Sequence, residues 1–139
     1  MKYLELHPWD VGYKKAVEIQ ERLKKSIFLK GSAKNCNLIA GADVSYTRES
    51  EIFYASVVVF NLQTMERVEE ATAGGKVGFP YIPGLLSFRE SPILLKVFAK
   101  IKSEPDVIIL DAQGIAHPRG IGLASHIGLL LDKSAIGCA

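Results

Sequence analysis

Hydrophobic and polar positions follow two different periods along this chain, and the change of period divides it into helices and strands. Apolar residues three or four positions apart are typical of an amphipathic helix. Runs rich in Val, Ile, Phe and Tyr between short polar loops are typical of strands. The pattern predicts helices at about 12–29, 85–102 and 119–131, and strands at about 37–46, 53–61, 66–73, 106–111 and 134–139.

The first two predicted helices carry specific signals. Asp10 is the predicted N-cap of the first, and its buried face is predicted to hold Ala16, Ile19, Gln20, Leu23 and Ile27. In the second, Pro92 cannot donate a hydrogen bond to the carbonyl of Phe88. That helix therefore either kinks at Pro92 or restarts there with Ser91 as its N-cap.

The order of these elements predicts the topology of a sheet. Short connections favour an antiparallel meander of the first three strands, and right-handed crossovers place the fourth strand beside the first. We therefore expect an α/β fold of the ribonuclease H-like class: a mixed sheet of three antiparallel strands followed by parallel strands, flanked by helices. The 139 residues suit one domain, so residues 1–139 are predicted to form it.

Two aspartates interrupt apolar strands. Asp43 ends the run 38–43 and Asp111 ends the run 107–111. A charge in such a place is costly unless something pairs with it, and two carboxylates on neighbouring strands repel each other. A divalent cation removes that conflict, and hard cations such as Mg²⁺ prefer oxygen ligands. The pattern predicts a metal-assisted phosphodiesterase site.

Glu90 is the predicted third ligand, because it faces the packed side of the second helix whether that helix kinks or restarts. Two divalent ions about 4 Å apart could then bridge a scissile phosphate, activating water on one side and stabilising the leaving oxygen on the other. A helix cap or a surface charge is the alternative interpretation of each single acid.

The loop after the fourth strand carries further candidates. His117 could bind metal, relay a proton or contact phosphate, and a structural histidine is nearly as good an interpretation. Arg119 could fork onto a phosphate or solvate the start of a helix. His126 lies within the third helix, where a structural role is favoured.

The stretch Pro80-Tyr81-Ile82-Pro83 predicts a stiff loop tip, because two prolines fix the backbone around an aromatic residue. Such a tip makes a wedge that can enter a base stack, and enzymes that act at an altered base commonly extrude it. An aromatic side chain packed against its own turn is the equal alternative.

Composition and charge narrow the class only modestly. Hydrophobic residues make up 48% and charged residues 23% of the chain, which is ordinary for a globular domain. Residues 1–34 hold 8 Lys and Arg against 4 Asp and Glu, a weak indication of a phosphate-backbone partner. No predicted element is a membrane span or a signal peptide, so a cytoplasmic location is expected. Cys36 and Cys138 are expected to be free thiols.

Three stretches together resemble the endonuclease V family, nucleases that recognise deaminated bases, chiefly inosine, in DNA or RNA. The stretches are Gly41 to Tyr46, Phe79 to Glu90 and Pro105 to Arg119. Gly122, His126 and the closing Ile136-Gly137-Cys138-Ala139 also fit. The resemblance covers essentially the whole chain, and the proline-bounded motif is highly specific.

The resemblance implies site residues and a cofactor. Asp43, Glu90 and Asp111 look like Mg²⁺-binding catalytic acids, with Mn²⁺ expected to substitute, and His117 matches a histidine near the active centre. Tyr81 is similar to the family's wedge. The resemblance and the local chemistry together predict the substrate-binding residues Pro80, Tyr81, Ile82, Gly84, Leu86, Gly122 and Arg119.

The resemblance implies a nick on the 3′ side of the lesion, in DNA or RNA. The sequence departs from the family at its end, because it stops at Ala139, just before a lysine that assists catalysis in the family. We therefore expect a retained metal-binding core with impaired activity, and self-association through an exposed sheet edge. The alternative is a non-catalytic inosine or nucleic-acid binding module. The proline-flanked wedge argues against a different ribonuclease H-like nuclease.

Overall fold

The computed structural model describes all 139 residues of the chain. Three helices and five strands follow one another in the predicted order. Their bounds are α1 Tyr13–Lys24, β1 Leu38–Ser45, β2 Ile52–Asn61, β3 Arg67–Lys76, α2 Leu86–Phe98, β4 Val107–Leu110, α3 Leu123–Leu131 and β5 Ser134–Gly137.

The five strands form one mixed sheet in the order β3-β2-β1-β4-β5. The first three strands pair antiparallel, whereas β4 runs parallel to both β1 and β5. The predicted α/β mixed sheet, with strand four beside strand one, is confirmed. β5 lies at an edge of the sheet, and self-association through that edge stays a prediction.

Alternation along the strands decides which sheet face is covered. Ala40 and Ala42 of β1 are buried, whereas Gly41, Asp43 and Ser45 between and after them are exposed. The buried positions join a core of 21 residues to which α2 and α3 contribute. The exposed positions leave one face of β1 open beside the two predicted metal-binding aspartates.

Helix α1 joins the fold through a second, smaller core. Its buried side chains Ala16, Ile19 and Leu23 pack in a cluster with Leu85, Phe88 and Ile121. The predicted buried face of α1 is confirmed within the helix, including Gln20. Because Leu85 and Phe88 flank the start of α2, this second core fixes α1 against the segment that carries the proline-bounded loop.

One predicted helix cap is wrong, and one of the two alternatives for the second helix is excluded. Gly12, rather than Asp10, is the N-cap of α1, because the carbonyl of Gly12 accepts the first helical hydrogen bond, from the N–H of Ala16 at 3.0 Å. Helix α2 runs continuously from Leu86 to Phe98 with Pro92 inside it. Ser91 is therefore not a cap. Pro92 lies on the exposed side while its neighbours are buried, so burial of the helix offsets the one lost hydrogen bond.

Helix α3 starts later than predicted, at Leu123 rather than near 119. The preceding loop folds back on itself, since the N–H of Gly122 donates to the carbonyl of Gly114 at 2.8 Å and the N–H of Ala124 donates to that of Gln113 at 3.1 Å. No helix of the chain is both long and apolar enough to cross a membrane.

Candidate metal centre and base cavity

Parallel pairing of β1 and β4 brings the two aspartates to the same end of the sheet. Ala42 is paired with Leu110, so the residues that follow them lie side by side: Asp43 within β1, two residues before its end, and Asp111 directly after β4. Both side chains are exposed. Ligands of open α/β sheets gather at this edge, and the sequence interpretation of the two interrupted strands placed the acids there.

Glu90 approaches the same edge from helix α2. Its side chain is only 8% exposed, and burial, followed by the negative charge of Asp43, raises the pKa of Glu90 to about 7. The positive charge of Arg89 opposes this shift, and Asp111 adds to it. Because both aspartates act on Glu90, the fold brings the three acids within electrostatic reach of one another.

The three acids receive little help from the protein around them. The Oδ1 atom of Asp43 accepts a hydrogen bond at 2.8 Å from the N–H of its neighbour Val44, and Glu90 and Asp111 accept none. Their oxygen donors and excess negative charge fit a hard divalent cation. Their geometry does not close a coordination shell, since no group of three or more His, Cys, Asp or Glu side chains is arranged to hold a metal ion.

A cavity of about 300 Å³ lies next to the acids. Ala112, directly after Asp111, is part of its wall. Six residues predicted to act on the substrate or in catalysis also line it: Tyr81, Ile82, Gly84, Leu86, His117 and Gly122. Pro80 does not, because it faces a separate groove of about 670 Å³ together with Trp9 and Arg89. A volume of this order is typical of a small-molecule or base site.

Gly122 cannot be replaced without moving the cavity wall. A Cβ atom on Gly122 would lie 2.2 Å from the carbonyl oxygen of Gln113, far inside van der Waals contact. The close approach of these two backbone segments therefore needs glycine, and both residues line the cavity.

The tip of that loop presents its aromatic residue to solvent. Tyr81 is 66% exposed, so it is not packed against its own turn, and that alternative is wrong. Ile82, by contrast, is half-buried and packs on the second core. The action of Tyr81 as a wedge stays a prediction.

His117 is engaged through both ring nitrogens. Its Nε2 donates to the carbonyl of Gly84 at 3.0 Å, and its Nδ1 accepts from the N–H of Arg119 at 3.0 Å. Burial lowers the pKa of His117, Arg119 lowers it further, and the bond to Gly84 opposes the shift. The ring is therefore neutral near pH 7 and holds the loop in this structure, while its catalytic role stays a prediction.

Arg119 is also directed inward. Its Nε donates to the Oε1 of Gln20 at 2.6 Å, and its Nη2 donates to the carbonyl of Gly84 at 2.8 Å. These bonds use the Nε and Nη2 donors of the guanidinium group. Contact between Arg119 and phosphate stays a prediction, and the observed contacts are internal.

Two residues with positions at this site were not predicted to act there. Gln20 contacts both Gly84 and Arg119, and Nη1 of Arg89 donates to the carbonyl of Phe79 at 2.7 Å. The sequence carried one signal for Gln20, namely a polar residue on the apolar face of a helix. For Arg89 the indication was its place directly before Glu90, within the stretch Phe79 to Glu90.

His126 is structural in this fold, as favoured from its place in the third helix. It is fully buried, and its Nε2 lies 2.7 Å from Nε2 of His7. Burial, and then the charge of a protonated His7, lower the pKa of His126 to about 3. Trp9 and Phe88 pack around both rings, so this pair attaches the N-terminal segment to α3.

Fold and site together define an α/β protein with one acid within β1 and another directly after its parallel partner β4. A family model described as Endonuclease V matches residues 21–139. Endonuclease V of Dehalococcoides mccartyi is 45% identical over 139 residues, which is 100% of this chain and 62% of that protein. Endonuclease V of Dictyoglomus turgidum is 48% identical over 128 residues, 92% of this chain and 55% of that protein.

Solved structures agree with the sequence comparison. The crystal structure of endonuclease V from Bacillus subtilis superposes with a TM-score of 0.88 at 29% identity, covering 96% of this chain and 58% of that one. Ciona intestinalis endonuclease V, in complex with a 24mer DNA containing an inosine followed by a ribo-adenosine, gives 0.76 at 30% identity, covering 84% and 52%.

The chain belongs to the Endonuclease V family. It spans about three-fifths of the length of the curated relatives it matches.

Proposed function

We propose that this protein is a divalent-cation-dependent endonuclease that nicks DNA or RNA on the 3′ side of inosine. The observation that carries the proposal is the convergence of three acids: Asp43 and Asp111 follow the paired residues Ala42 and Leu110, and both repel the buried carboxyl group of Glu90. A bound divalent cation would offset the repulsion among the three acids, which lie beside a cavity large enough for a base. Membership of the family and the inosine-containing DNA bound by the Ciona relative support the same substrate.

Each part of the site has a role in this proposal. Asp43, Glu90 and Asp111 hold Mg²⁺, or Mn²⁺ in its place. The metal, when bound, polarises the scissile phosphate and lowers the pKa of attacking water. The cavity beside Ala112 accepts the extruded base, and exposed Tyr81 fills the gap that the base leaves in the stack. The acids and the cavity share the Asp111–Ala112 backbone, so recognition and cutting are adjacent.

Cleavage of labelled oligonucleotides tests the proposal. The chain is incubated with Mg²⁺ and a single-stranded DNA or RNA that contains one inosine, and with a matched strand that contains guanosine. We expect one product, which ends 3′ to inosine, and none from the guanosine strand. Asp43→Asn should abolish it. Cutting that ignores the inosine, or that survives both Asp43→Asn and removal of the cation, would contradict the proposal.

One observation favours a second candidate, a binding module that retains the cavity without cutting. The acids do not form a closed metal-holding group in this structure, and the wedge and cavity do not depend on them. In that case the chain binds the inosine strand more tightly than the guanosine strand in EDTA, and Mg²⁺ produces no cleavage. Tight binding that requires the cation, accompanied by a nick, excludes this candidate.

A further inference from the structure

The carbonyl oxygen of Gly84 accepts hydrogen bonds from three side chains. The donors are Nε2 of Gln20 at 2.9 Å, Nε2 of His117 at 3.0 Å and Nη2 of Arg119 at 2.8 Å. A carbonyl oxygen has two lone pairs, so three donors saturate it and fix its direction. We call Gln20, His117 and Arg119 the Gly84 clamp.

Gln20 closes this network because it both donates and accepts. Its amide nitrogen donates to Gly84, while its Oε1 accepts from Nε of Arg119 at 2.6 Å. An arginine nitrogen can only donate, so the orientation of the amide is determined by its partners. Gln20 is 1% exposed, so water does not replace either bond. A leucine at this position would make neither bond, and a glutamate would keep only the one to Arg119.

The clamp acts on the tight turn that contains Gly84. The N–H of Leu85 donates to the carbonyl of Ile82 at 3.0 Å, and Gly84 has a φ of +82°. With Pro83 before a glycine of positive φ, this is the arrangement of a type II turn. A Cβ atom on Gly84 would lie 2.7 Å from Nη2 of Arg119, so the turn and the clamp fit only together.

The other end of the loop is held in the same manner. Arg89 donates to the carbonyl of Phe79 at 2.7 Å, and its guanidinium carbon lies 4.8 Å from the centroid of the Phe53 ring. Residues 79–84 are thus anchored at both ends by side-chain donors, with exposed Tyr81 between them. Gln20 and His117 of the clamp also line the cavity of about 300 Å³, so a change in the clamp changes the cavity wall.

We propose that Gln20 is a positioning residue that fixes the Phe79–Gly84 loop and thereby sets which base the cavity accepts. It acts through the carbonyl of Gly84 and the guanidinium group of Arg119, from a helix distant in sequence from both. The inference rests on the proposed function for its substrate, an extruded inosine. Its structural half, the fixing of the loop, is measurable without any nucleic acid.

Two variants and one control separate the bonds of Gln20. Gln20→Leu removes both bonds, Gln20→Glu keeps the bond to Arg119 and removes the donor to Gly84, and Glu21→Gln changes an exposed neighbour on the same helix. Binding of single-stranded DNA with one inosine, and of the matched guanosine strand, is measured by fluorescence anisotropy. Calcium replaces magnesium so that no strand is cut. Backbone ¹⁵N relaxation of Tyr81 and Ile82 reports the loop in the free protein.

We expect Gln20→Leu and Gln20→Glu to lower the ratio of inosine to guanosine affinity by about tenfold, the order expected when a site is loosened by a fraction of an ångström. Affinity for the guanosine strand should stay within twofold, and Tyr81 and Ile82 should become more mobile. Glu21→Gln should match the wild type. A purely structural Gln20 would lower the melting temperature and leave the affinity ratio unchanged, and that result overturns the proposal.

The outcomes distinguish this inference from the proposed function. If the wild-type chain shows no preference for inosine, the proposed function fails, and the inference is then decided by the loop alone. A loop that is rigid in the wild type and mobile in both Gln20 variants supports positioning by Gln20. A loop with equal mobility in all three proteins overturns it. If Gln20→Leu does not fold, Gln20→Glu, which keeps the size and the Arg119 bond, gives the decision.

Discussion

Strand β4 has an aspartate at each end, and the two are treated differently by the fold. Before the strand, Oδ2 of Asp106 accepts hydrogen bonds from the N–H groups of Asn37 at 2.8 Å and Leu38 at 3.0 Å. These two bonds lower the pKa of Asp106 and join the starts of β4 and β1. After the strand, Asp111 accepts no hydrogen bond and raises the pKa of Glu90.

Glu69, like Asp106, accepts hydrogen bonds from groups within the fold. Its carboxylate accepts bonds from the hydroxyl and N–H of Ser103, at 2.6 and 2.8 Å, and from the N–H of Lys102 at 2.9 Å. The pKa of Glu69 falls to about 2, first through the Ser103 hydroxyl. Acids that stabilise this fold find donors within it. The acids at the candidate metal centre find only one, the N–H of Val44 on Oδ1 of Asp43, which leaves their other oxygens for a ligand from outside.

The largest expected effect comes from removing the charge of Asp111, compared with the same change in Asp106 at the other end of β4. Asp111→Asn should lower inosine-directed cleavage by about 10²–10³-fold, the order for losing one preorganised electrostatic group, and should remove any rise in melting temperature caused by Mg²⁺. Asp106→Asn is the matched control, with the same change at the other end of the strand. It should lower the melting temperature and keep the response to Mg²⁺. Equal loss of cleavage in both variants would show that the two aspartates do not differ in function.

Glu90→Gln should stabilise the metal-free protein at alkaline pH. The folded pKa of Glu90, about 7, lies above its ordinary 4.5, so the folded state binds the proton more tightly. Stability from this group is therefore full below pH 4.5 and is lost as the pH rises through 7. We expect a gain for Glu90→Gln of about 1–2 kcal/mol at pH 8, after allowance for solvent screening, and almost none at pH 4.5.

Urea denaturation in EDTA at the two pH values measures this gain. Saturating Mg²⁺ at pH 8 should reverse the order, because only the wild type then gains a cation on Glu90. A variant that is equally stabilised at both pH values, or that gains as much from Mg²⁺ as the wild type, would show that Glu90 is an ordinary core polar residue.

The buried residue His126 also makes the stability of the fold depend on pH, and its contribution must be distinguished from that of the acids. The pKa of His126, about 3, lies below its ordinary 6.5, so the unfolded chain takes up the proton first. Stability is full above pH 6.5 and falls as the pH decreases toward 3. His126→Phe should reduce the loss of stability between pH 7 and pH 5 by about 1 kcal/mol, measured by thermal denaturation. The same loss in both proteins would assign the acid sensitivity to another group.

Glu69→Gln should have the smallest effect, because its carboxylate is near the surface. The low pKa means that its contribution is present above pH 4.5 and disappears as the pH falls toward 2. We expect the free energy of unfolding to fall by a few tenths of a kcal/mol at pH 7 and to be unchanged near pH 2. Denaturant titration at the two pH values measures the difference. A decrease in cleavage as well would contradict the assignment of Glu69 to the stability of the fold alone.

Much of this architecture was predictable because its signals are local. The apolar runs before Asp43 and Asp111 predicted adjacent central strands, and short connections with right-handed crossovers then placed both acids at one edge. Glu90 was predicted from its place on the packed side of a helix. These inferences use spacing and burial, which a sequence displays directly.

The remaining features depend on contacts between distant residues. Gln20 and Gly84 are 64 positions apart, and the sequence around Gln20 does not indicate that its side chain donates to the Gly84 carbonyl. The inward orientation of Arg119 depends on Gln20 and Gly84, which are brought close to it only in the folded chain. Local rules also gave wrong answers at Asp10 and Ser91, where tertiary packing set the helix starts instead of the residues best suited to cap them.

Anomalous diffraction from crystals grown or soaked in Mn²⁺ tests directly whether the three acids bind a divalent cation. We expect a Mn²⁺ peak bonded to carboxylate oxygens of at least two of Asp43, Glu90 and Asp111, at the roughly 2.0–2.3 Å expected for an oxygen-ligated cation of this size, with none at Asp106 or Glu69. Peaks confined to surface carboxylates, with the three acids unbound at saturating Mn²⁺, would contradict it.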